Sequence, residues 1–588
     1  MAGVYLPLLP MAHQYLVTDD IPEIMGRAEE FPHVMDPGGE SYLRQEGRGL
    51  CIGFYEQPCE PWALDGTPWE FGHELLPDAF DKIEDSVAFA YRRFPVLEHA
   101  GVKRVIHGPF CFAPDGNPLM GPVPGLRNYW SACAVMAGFS QGGGMGLALA
   151  QWMVEGETER DPRAFDVARF GSWTTPGYTI PKVIENYQTR FSVAYPNEEK
   201  PAARPFRTTP MYDIFSDMGA VWGQQYGLEV VNYFALPGAP RFETPTFRRS
   251  NAWDATAAEV RAVREGVGIN EVANFGKYRV TGPGARAWLD GIMAGRLPQP
   301  GRLALTPMLS PAGRILGDFT VSCLDAETFH LTASYGAQGW HLRWFESHAA
   351  EGVRVENVSD RLLGFQIAGP RARNLLVAVT RDDVAGLRFL DVRPLTIGMA
   401  ECLVQRVSYT GDLGYEIYCD ALSQRHLWEV LWPAGQPLGL RPFGMRAMMS
   451  LRLDRHFGSW GREYGPDYTP AETGLDRFIA WDKGDFIGRT AAEAACTPAR
   501  RLCAFEVDAE DADVVAWEPI WLDGAVAGFC TSGGFAHWTG TSMALGFLPA
   551  DRAGEDGLAV EIEILDQMRP ARLRARPAWD PDGARMRG

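Results

Sequence analysis

Four prolines within one short polar stretch constrain this chain more than any other feature. The stretch SVAYPNEEKPAARPFRTTP, residues 192–210, carries Pro196, Pro201, Pro205 and Pro210. Each proline removes a backbone donor and disfavours helix at the residue before it, so no regular element runs through. The segment reads as a linker, and the chain on either side must bury its own core. Before it, strand-like runs (VYLPLLP, GLCIGF, NYWSACAVMAGF) alternate with helical ones (DAFDKIEDSVAFAYRRF, MGLALAQWMVEG), the pattern of a mixed unit over residues 1–180. After a connecting segment at 181–235, ATAAEVRAVREGVGI has helical spacing while FGKYRV and ILGDFTVSCL alternate as strands, a texture that holds over residues 236–495. Residues 496–588 are strand-rich with turn signals every 8 to 12 residues, which predicts a small β-barrel. The expected fold class is α+β, multidomain.

Composition narrows the functions. A formal net charge of −19 disfavours a nucleic-acid surface or an anionic membrane face, both of which need a positive field. No run approaches the roughly 20 apolar residues that span a bilayer. The ten cysteines form neither a CxxC pair nor a Cys/His cluster at zinc spacing, so neither a disulfide framework nor a metal site is expected, and a reducing cytoplasm fits.

Two local features carry chemistry. The chain opens on an apolar run, Val4 to Leu9, with no basic segment ahead and no small-residue cleavage pattern behind, as if inside a β-sheet rather than at a secretory leader. Further on, a strand ending at Ala137 leads into Gly138, Gly142, Gly143, Gly144 and Gly146 at the start of a helix. A helix end stripped of side chains presents free N–H groups and a positive dipole to an electron-rich ligand. The plainer reading is close packing of helix on sheet.

The stretch FAPDGNPLMGPVPGLRNYWSACAVMAGFSQGGGMGLALAQWMVEGE resembles the C-terminal flavin signature of the dimethylglycine/sarcosine dehydrogenase (oxidase) family, and PLLPMAHQY and SYLRQEGRGLCIGFYE resemble that family's substrate-domain strands. The resemblance implies a partial amine-oxidase-type flavoprotein domain in which Gly138, Phe139, Ser140, Gln141, Gly142 and Gly143 meet FAD. It places His13 and Tyr42 on the substrate side, where a histidine tuned near neutral pH helps an amine lose its proton. A histidine satisfied inside a core strand is the alternative. The family's dinucleotide fold, a strand, a GxGxxG turn and an acidic residue about 20 positions on, is not found. The single GxGxxA match, Gly282, Gly284 and Ala287, reads as a strand–turn–helix corner. FAD is therefore expected only with a complementing dinucleotide-binding segment.

Three segments in the second half, TPMLSPAGRILGDFTV, QRVSYTGDLGYEIYCD and DYTPAETGLDRFIAWDKGDFIGR, resemble in order the motifs of the glycine-cleavage aminomethyltransferase (T-protein) fold. That fold forms the C-terminal folate-binding half of dimethylglycine and sarcosine dehydrogenases. The resemblance implies a tetrahydrofolate site with Asp318 as the catalytic acid, Phe319 and Thr320 beside it, Glu416 facing the pterin, and Tyr409, Ile417 and Tyr418 around it. A carboxylate accepts from two adjacent N–H groups in a way that no amide or hydroxyl reproduces. Where glycine-cleavage enzymes carry ARDSLR this chain has AMMSLR, with Met448 at the first arginine's place and Arg452 at the second, so transfer from a lipoyl carrier is not expected. Arg569 and His537 are left unassigned.

Two functions of different class follow. In the first, a flavin half, incomplete in this chain, oxidises an N-methyl amino acid and the folate half captures the one-carbon unit as methylenetetrahydrofolate. The final electron acceptor is left open between oxygen and an electron-transfer flavoprotein, and a flavin-bearing partner chain docked on the exposed sheet edge is the variant that keeps the oxidase chemistry. In the second, the chain is a flavin-free, tetrahydrofolate-dependent transferase or folate-binding subunit with a vestigial N-terminal scaffold. A fragment of a longer product is a third reading.

Overall fold

The computed structural model describes residues 2–588, in two compact units: the chain up to Tyr195 with Lys200–Phe206, and Pro196–Glu199 with Arg207–Gly588. The proline-rich segment is shared between them. The expected linker at 181–235 is too long. Helix Pro176–Gln188 belongs to the first unit, while helix Tyr212–Asp217 and the hairpin Ala220–Gln225/Leu228–Phe234 belong to the second. The missed signal is apolar: Phe215, Val231 and Phe234 are core residues.

In the first unit the chain's opening run leads into strand Leu9–Thr18, the fourth of a five-stranded sheet in the order Val34–Asp36, Ser41–Glu46, Gly49–Phe54, Leu9–Thr18, Val102–Phe112. All pairings are antiparallel. The strand is apolar because both its faces are covered. Leu16 packs with Ile52 and Leu97, whereas Leu9 and Met11 pack with Tyr55, Phe112 and Tyr187. Burying each such side chain contributes about 1.5–3 kcal/mol, which holds the register against slippage.

The second unit contains two sheets and a barrel. A six-stranded sheet runs Val392–Ile397, Ala400–Gln405, Gly414–Asp420, Leu362–Ala368, Val267–Glu271, Leu440–Pro442, and a five-stranded sheet runs Arg302–Leu309, Ile315–Cys323, Thr328–Ser334, Phe275–Thr281, Arg354–Asn357. Each has one apolar face under helices, with separate cores around Ile417 and Phe365 and around Phe319 and Leu331. The GxGxxA match is a corner. Gly282 has φ +123° and a Cβ there would lie 1.9 Å from the Gly352 carbonyl, so it lets two loops touch. Six antiparallel strands from Arg500–Val507 to Gln567–Leu573 close the predicted barrel. All ten cysteines are free thiols, and no described helix is long and apolar enough to cross a membrane.

Candidate functional sites

In the first unit His13 projects from strand Leu9–Thr18 into a cage of rings, with Tyr55 and Phe110 centroids at 5.1 Å and Tyr187 at 5.9 Å. Its two ring nitrogens are both engaged: Nδ1 lies 2.8 Å from Tyr187 Oη and Nε2 3.3 Å from Tyr42 Oη. Tyr187 Oη in turn donates to Glu56 Oε2 at 2.8 Å. A phenol that donates to a carboxylate must accept from histidine, which assigns the proton to Nδ1 and makes Nε2 the acceptor of the Tyr42 hydroxyl. The four groups form one directed chain, Tyr42 to His13 to Tyr187 to Glu56. Tyr42 reaches His13 because Gly53, its cross-strand neighbour, leaves room: a Cβ there would sit 1.9 Å from the Tyr42 ring.

Burial, aided by the charge of His107, pushes His13 down to about 4. Burial and two engaged ring nitrogens weigh against a base tuned near neutral pH and hold His13 neutral in this arrangement. Burial raises Glu56, against the Tyr187 hydrogen bond, and raises Tyr187.

Helix Gly138–Glu155 begins at Ala137 with no side-chain cap, and a Cβ on Gly138, Gly142, Gly143, Gly144 or Gly146 would meet nothing within 4 Å. The close-packing reading of these glycines fails, since nothing packs on them. That role falls instead to Gly121, where a Cβ would lie 2.8 Å from Trp152. Phe139 is fully exposed, the Ser140 hydroxyl donates to the Ala137 carbonyl at 3.1 Å, and Gln141 Oε1 is buried without a partner among the described residues. A bare helix end beside an orphaned amide oxygen fits the polar edge of a flavin ring. Among the described residues this unit has no parallel strand–helix–strand unit with a glycine turn.

In the second unit the polar faces of the two sheets meet. Along strand Gly414–Asp420, Tyr415, Ile417 and Cys419 enter the apolar core, and the two-residue period sends Glu416 and Tyr418 to the opposite face. Along strand Ile315–Cys323, Phe319, Val321 and Cys323 are core, while Asp318, Thr320 and Ser322 share the other face with Thr332 and His330 by cross-strand register. The His330 ring lies 5.4 Å from Tyr418, joining the faces. Of the expected folate residues, the structure therefore brings Asp318, Thr320, Glu416 and Tyr418 onto facing surfaces and withdraws two. The side chains of Ile417 and Phe319 are fully buried on the wrong sides of their strands, because adjacent strand residues cannot share a face.

Tyr418 Oη donates to Glu416 Oε2 at 2.7 Å, and Oε1 receives no hydrogen bond from the described residues. Burial pushes Glu416 up to about 7, opposed by Tyr418 and by Lys277. Lys277, with no exposed surface, donates to the carbonyls of Val272 (3.0 Å) and Ala273 (3.2 Å), and burial brings it down to about 7. Asp318 is half-buried, and its charge helps raise Tyr464 and Tyr409, the latter up to about 12, mainly through burial. Tyr409 Oη donates to the Gly458 carbonyl at 2.7 Å. A buried carboxylate with one oxygen left open, facing a half-buried aspartate's sheet, fits a pterin's adjacent N–H groups.

Sequence reading missed Glu56, Tyr187, Lys277 and His330. A lysine inside the apolar strand FGKYRV and a histidine inside TFHLTAS were the available signals for the last two. Arg452 is structural: it donates to Glu463 (2.9 Å) and Ser532 (2.8 Å) beneath the barrel. Met448 packs with Phe443 and Leu451. Arg569 pairs with Glu510, and His537 meets Trp253 edge-on, with ring centroids 4.5 Å apart.

These features define a two-part enzyme class, a flavin-type amine oxidoreductase half followed by an aminomethyltransferase half. Comparison bears this out. Family models match for "FAD dependent oxidoreductase" at residues 1–152, its central domain at 155–209, the "GCVT N-terminal domain" at 211–483 and the "Glycine cleavage T-protein C-terminal barrel domain" at 500–580. Dimethylglycine dehydrogenase of Mus musculus is 35% identical across all of this chain and 69% of its own length. The 4-methylaminobutanoate oxidase (formaldehyde-forming) of Paenarthrobacter nicotinovorans is 29% identical over all of this chain and 72% of its own. Human sarcosine dehydrogenase is 28% identical, again over the whole chain and 69% of its own length. The aminomethyltransferase T of Bartonella henselae superposes with TM-score 0.56 at 21% identity, over 64% of this chain and 98% of that one, which shows the shared fold. The chain belongs to the dimethylglycine/sarcosine dehydrogenase family. It is an FAD-dependent oxidoreductase with a tetrahydrofolate-dependent one-carbon half, and the oxidoreductase matches at residues 1–152 and 155–209 show that a flavin half is represented in the chain.

Proposed function

We propose that the chain oxidatively demethylates a small N-methyl amino acid of the dimethylglycine or sarcosine type and hands the one-carbon unit to tetrahydrofolate. FAD when bound supplies a hydride acceptor, and tetrahydrofolate when bound supplies a nucleophilic nitrogen. The chain's own residues do the rest. Tyr42 takes the proton of the substrate ammonium while passing its own to His13 Nε2. The Nδ1 proton moves to Tyr187, and the Tyr187 proton moves to Glu56. The net result is one proton carried from substrate to a buried carboxylate, with histidine neutral before and after. This supports oxidation, because only the free amine gives up hydride readily.

At the second site Glu416 accepts two N–H groups of the pterin and thereby orients it. Asp318 accepts the proton released when nitrogen bonds to the one-carbon unit and stabilises the positive charge that precedes it. Carrying both halves on one chain raises the effective concentration of a labile intermediate at the second site. Thr320 lines the same face, and Tyr409 adds ring surface. Electrons leave to a separate acceptor, for which an electron-transfer flavoprotein is the proposed partner. The free thiols support a reducing compartment; cytoplasm is the sequence expectation, whereas the mammalian relatives are named as mitochondrial.

The observation that carries the reading is Glu416, buried on a polar face with one oxygen open. The experiment is a titration of the purified chain with formyltetrahydrofolate, a stable folate, together with a visible spectrum. Folate binding lost in Glu416→Gln, with a flavin band present, is expected. A colourless chain that still binds folate would favour the flavin-free transferase, and unchanged folate binding in Glu416→Gln would remove the folate assignment.

A further inference from the structure

The loop 406–413 joins strand Ala400–Gln405 to strand Gly414–Asp420, carries Tyr409 and delivers Glu416. Both of its shoulders are gripped by arginines. Arg264, 1% exposed in helix Trp253–Glu265, donates from Nη1 to the Thr410 carbonyl (2.8 Å) and to Asp412, and from Nη2 to Asp454 (3.0 Å) and the Leu451 carbonyl (3.3 Å). One guanidinium thus ties the loop to helix Met445–Leu453 and the residue beyond it. Asp454 also accepts from Thr539 of the barrel domain at 2.9 Å.

What covers this hub comes from the far end of the sequence. The Trp579 ring lies over the Arg264 guanidinium, 3.5 Å from its carbon to the ring centroid. Arg455 holds Trp579 in place through the Trp579 carbonyl (3.0 Å) and the Asp580 carbonyl. Arg455 also underlies the loop: at Gly411, φ +83°, a Cβ would lie 2.5 Å from Arg455 Cγ. The opposite shoulder is tied as well, since Arg406 Nη2 donates to the Arg587 carbonyl at 3.0 Å. Segment 575–587 therefore touches both ends of the loop through arginines, and none of these residues lies on the polar faces that hold Asp318 and Glu416.

We propose that segment 575–587 is a positioning element of the folate site: Trp579, by covering Arg264, holds loop 406–413 in the geometry that presents Tyr409 and Glu416. The inference rests on the folate reading. A guanidinium between two buried carboxylates is rigid only while water is excluded, since hydration offers each donor an alternative partner. The Trp579 ring is that exclusion, with cation–π attraction added. Coupling is reciprocal, so a ligand that orders the loop must tighten the segment by the same factor.

The test uses the full chain and formyltetrahydrofolate. Trp579→Ala is expected to raise the folate Kd about ten-fold and Trp579→Phe to restore it to within about three-fold, as loss and retention of a desolvated cation–π cover require. Amide exchange of residues 579–587 in the unmutated chain should slow when folate is added, a readout that holds even if Trp579→Ala fails to fold. Normal folate affinity in Trp579→Ala beside lost affinity in Glu416→Gln would overturn the proposal and leave the folate site standing, as would unchanged exchange at 579–587. Normal affinity in Glu416→Gln would instead strike the folate reading itself.

Discussion

Tyr418 and Glu416, two residues apart on one strand and therefore on one face, are joined by a 2.7 Å hydrogen bond from the phenol to the carboxylate, with a buried lysine, Lys277, also facing that carboxylate. Their setting makes folate binding depend on pH. A carboxylate raised to about 7 is protonated below that value and then loses one of its two acceptor positions. Folate affinity is expected to fall as pH drops through about 7, and Lys277→Met should move the inflection upward by removing the charge that favours ionisation. A binding series across that range checks both.

Glu416 and Lys277 together shape stability. Glu416 is raised to about 7, so between its unfolded value and about 7 the folded state holds the extra proton and stability falls as pH rises. Lys277 is lowered to about 7, so above that value the unfolded state holds the extra proton and stability rises with pH. The contribution of this cluster to stability is expected to be least near neutral pH, and to flatten in the double variant Glu416→Gln/Lys277→Met. Denaturant midpoints across pH measure it.

Asp318→Asn keeps the size of the side chain and removes the proton acceptor. One-carbon capture is expected to fall about 10²- to 10⁴-fold, as loss of a general base does. Folate affinity should stay within a few-fold. Formaldehyde released per amine oxidised would rise toward one, and a ratio unchanged from the parent chain would remove the assigned role.

Gly53→Ala places a methyl group 1.9 Å from the Tyr42 ring. The ring must swing away, breaking its 3.3 Å hydrogen bond to His13. Overpacking of this kind costs about 1–3 kcal/mol. A lowered melting temperature together with impaired amine oxidation is expected, while folate binding stays intact.

His13 held down to about 4 implies a pH profile of amine oxidation with no inflection at histidine's ordinary value. Its folded-state value is depressed, so the unfolded chain takes up the proton first and stability is lost as pH falls from about 6.5 toward 4. Tyr187→Phe cuts the relay between His13 and Glu56 and is expected to slow oxidation and to cost about 1–3 kcal/mol of stability, because it leaves the buried His13 Nδ1–H and Glu56 Oε2 without their phenol partner. A rate limb appearing near neutral pH in the parent chain would contradict the neutral relay.

Much of this was legible in the amino-acid sequence because it is written in local patterns. A strand-like run marked the segment around Asp318, turn spacing marked the barrel, and three ordered motifs, one of them carrying Glu416, marked the aminomethyltransferase half. Local pattern also set its limits. The motif GYEIY and the run DFT name neighbouring residues together, yet the strand period sends Ile417 and Phe319 into the cores and only Glu416, Tyr418, Asp318 and Thr320 to the facing surfaces.

Tertiary structure alone decided what depends on residues far apart in the chain. His13 meets Tyr187 across 174 positions, and Arg264 meets Asp412, Asp454 and Trp579. Burial, which no residue type announces, holds His13 neutral and brings Lys277 and Glu416 to the same titration range. Composition and periodicity determine which faces of each strand and helix are buried; which buried faces meet, and therefore which charges must share a low-dielectric space, is settled only when the elements pack.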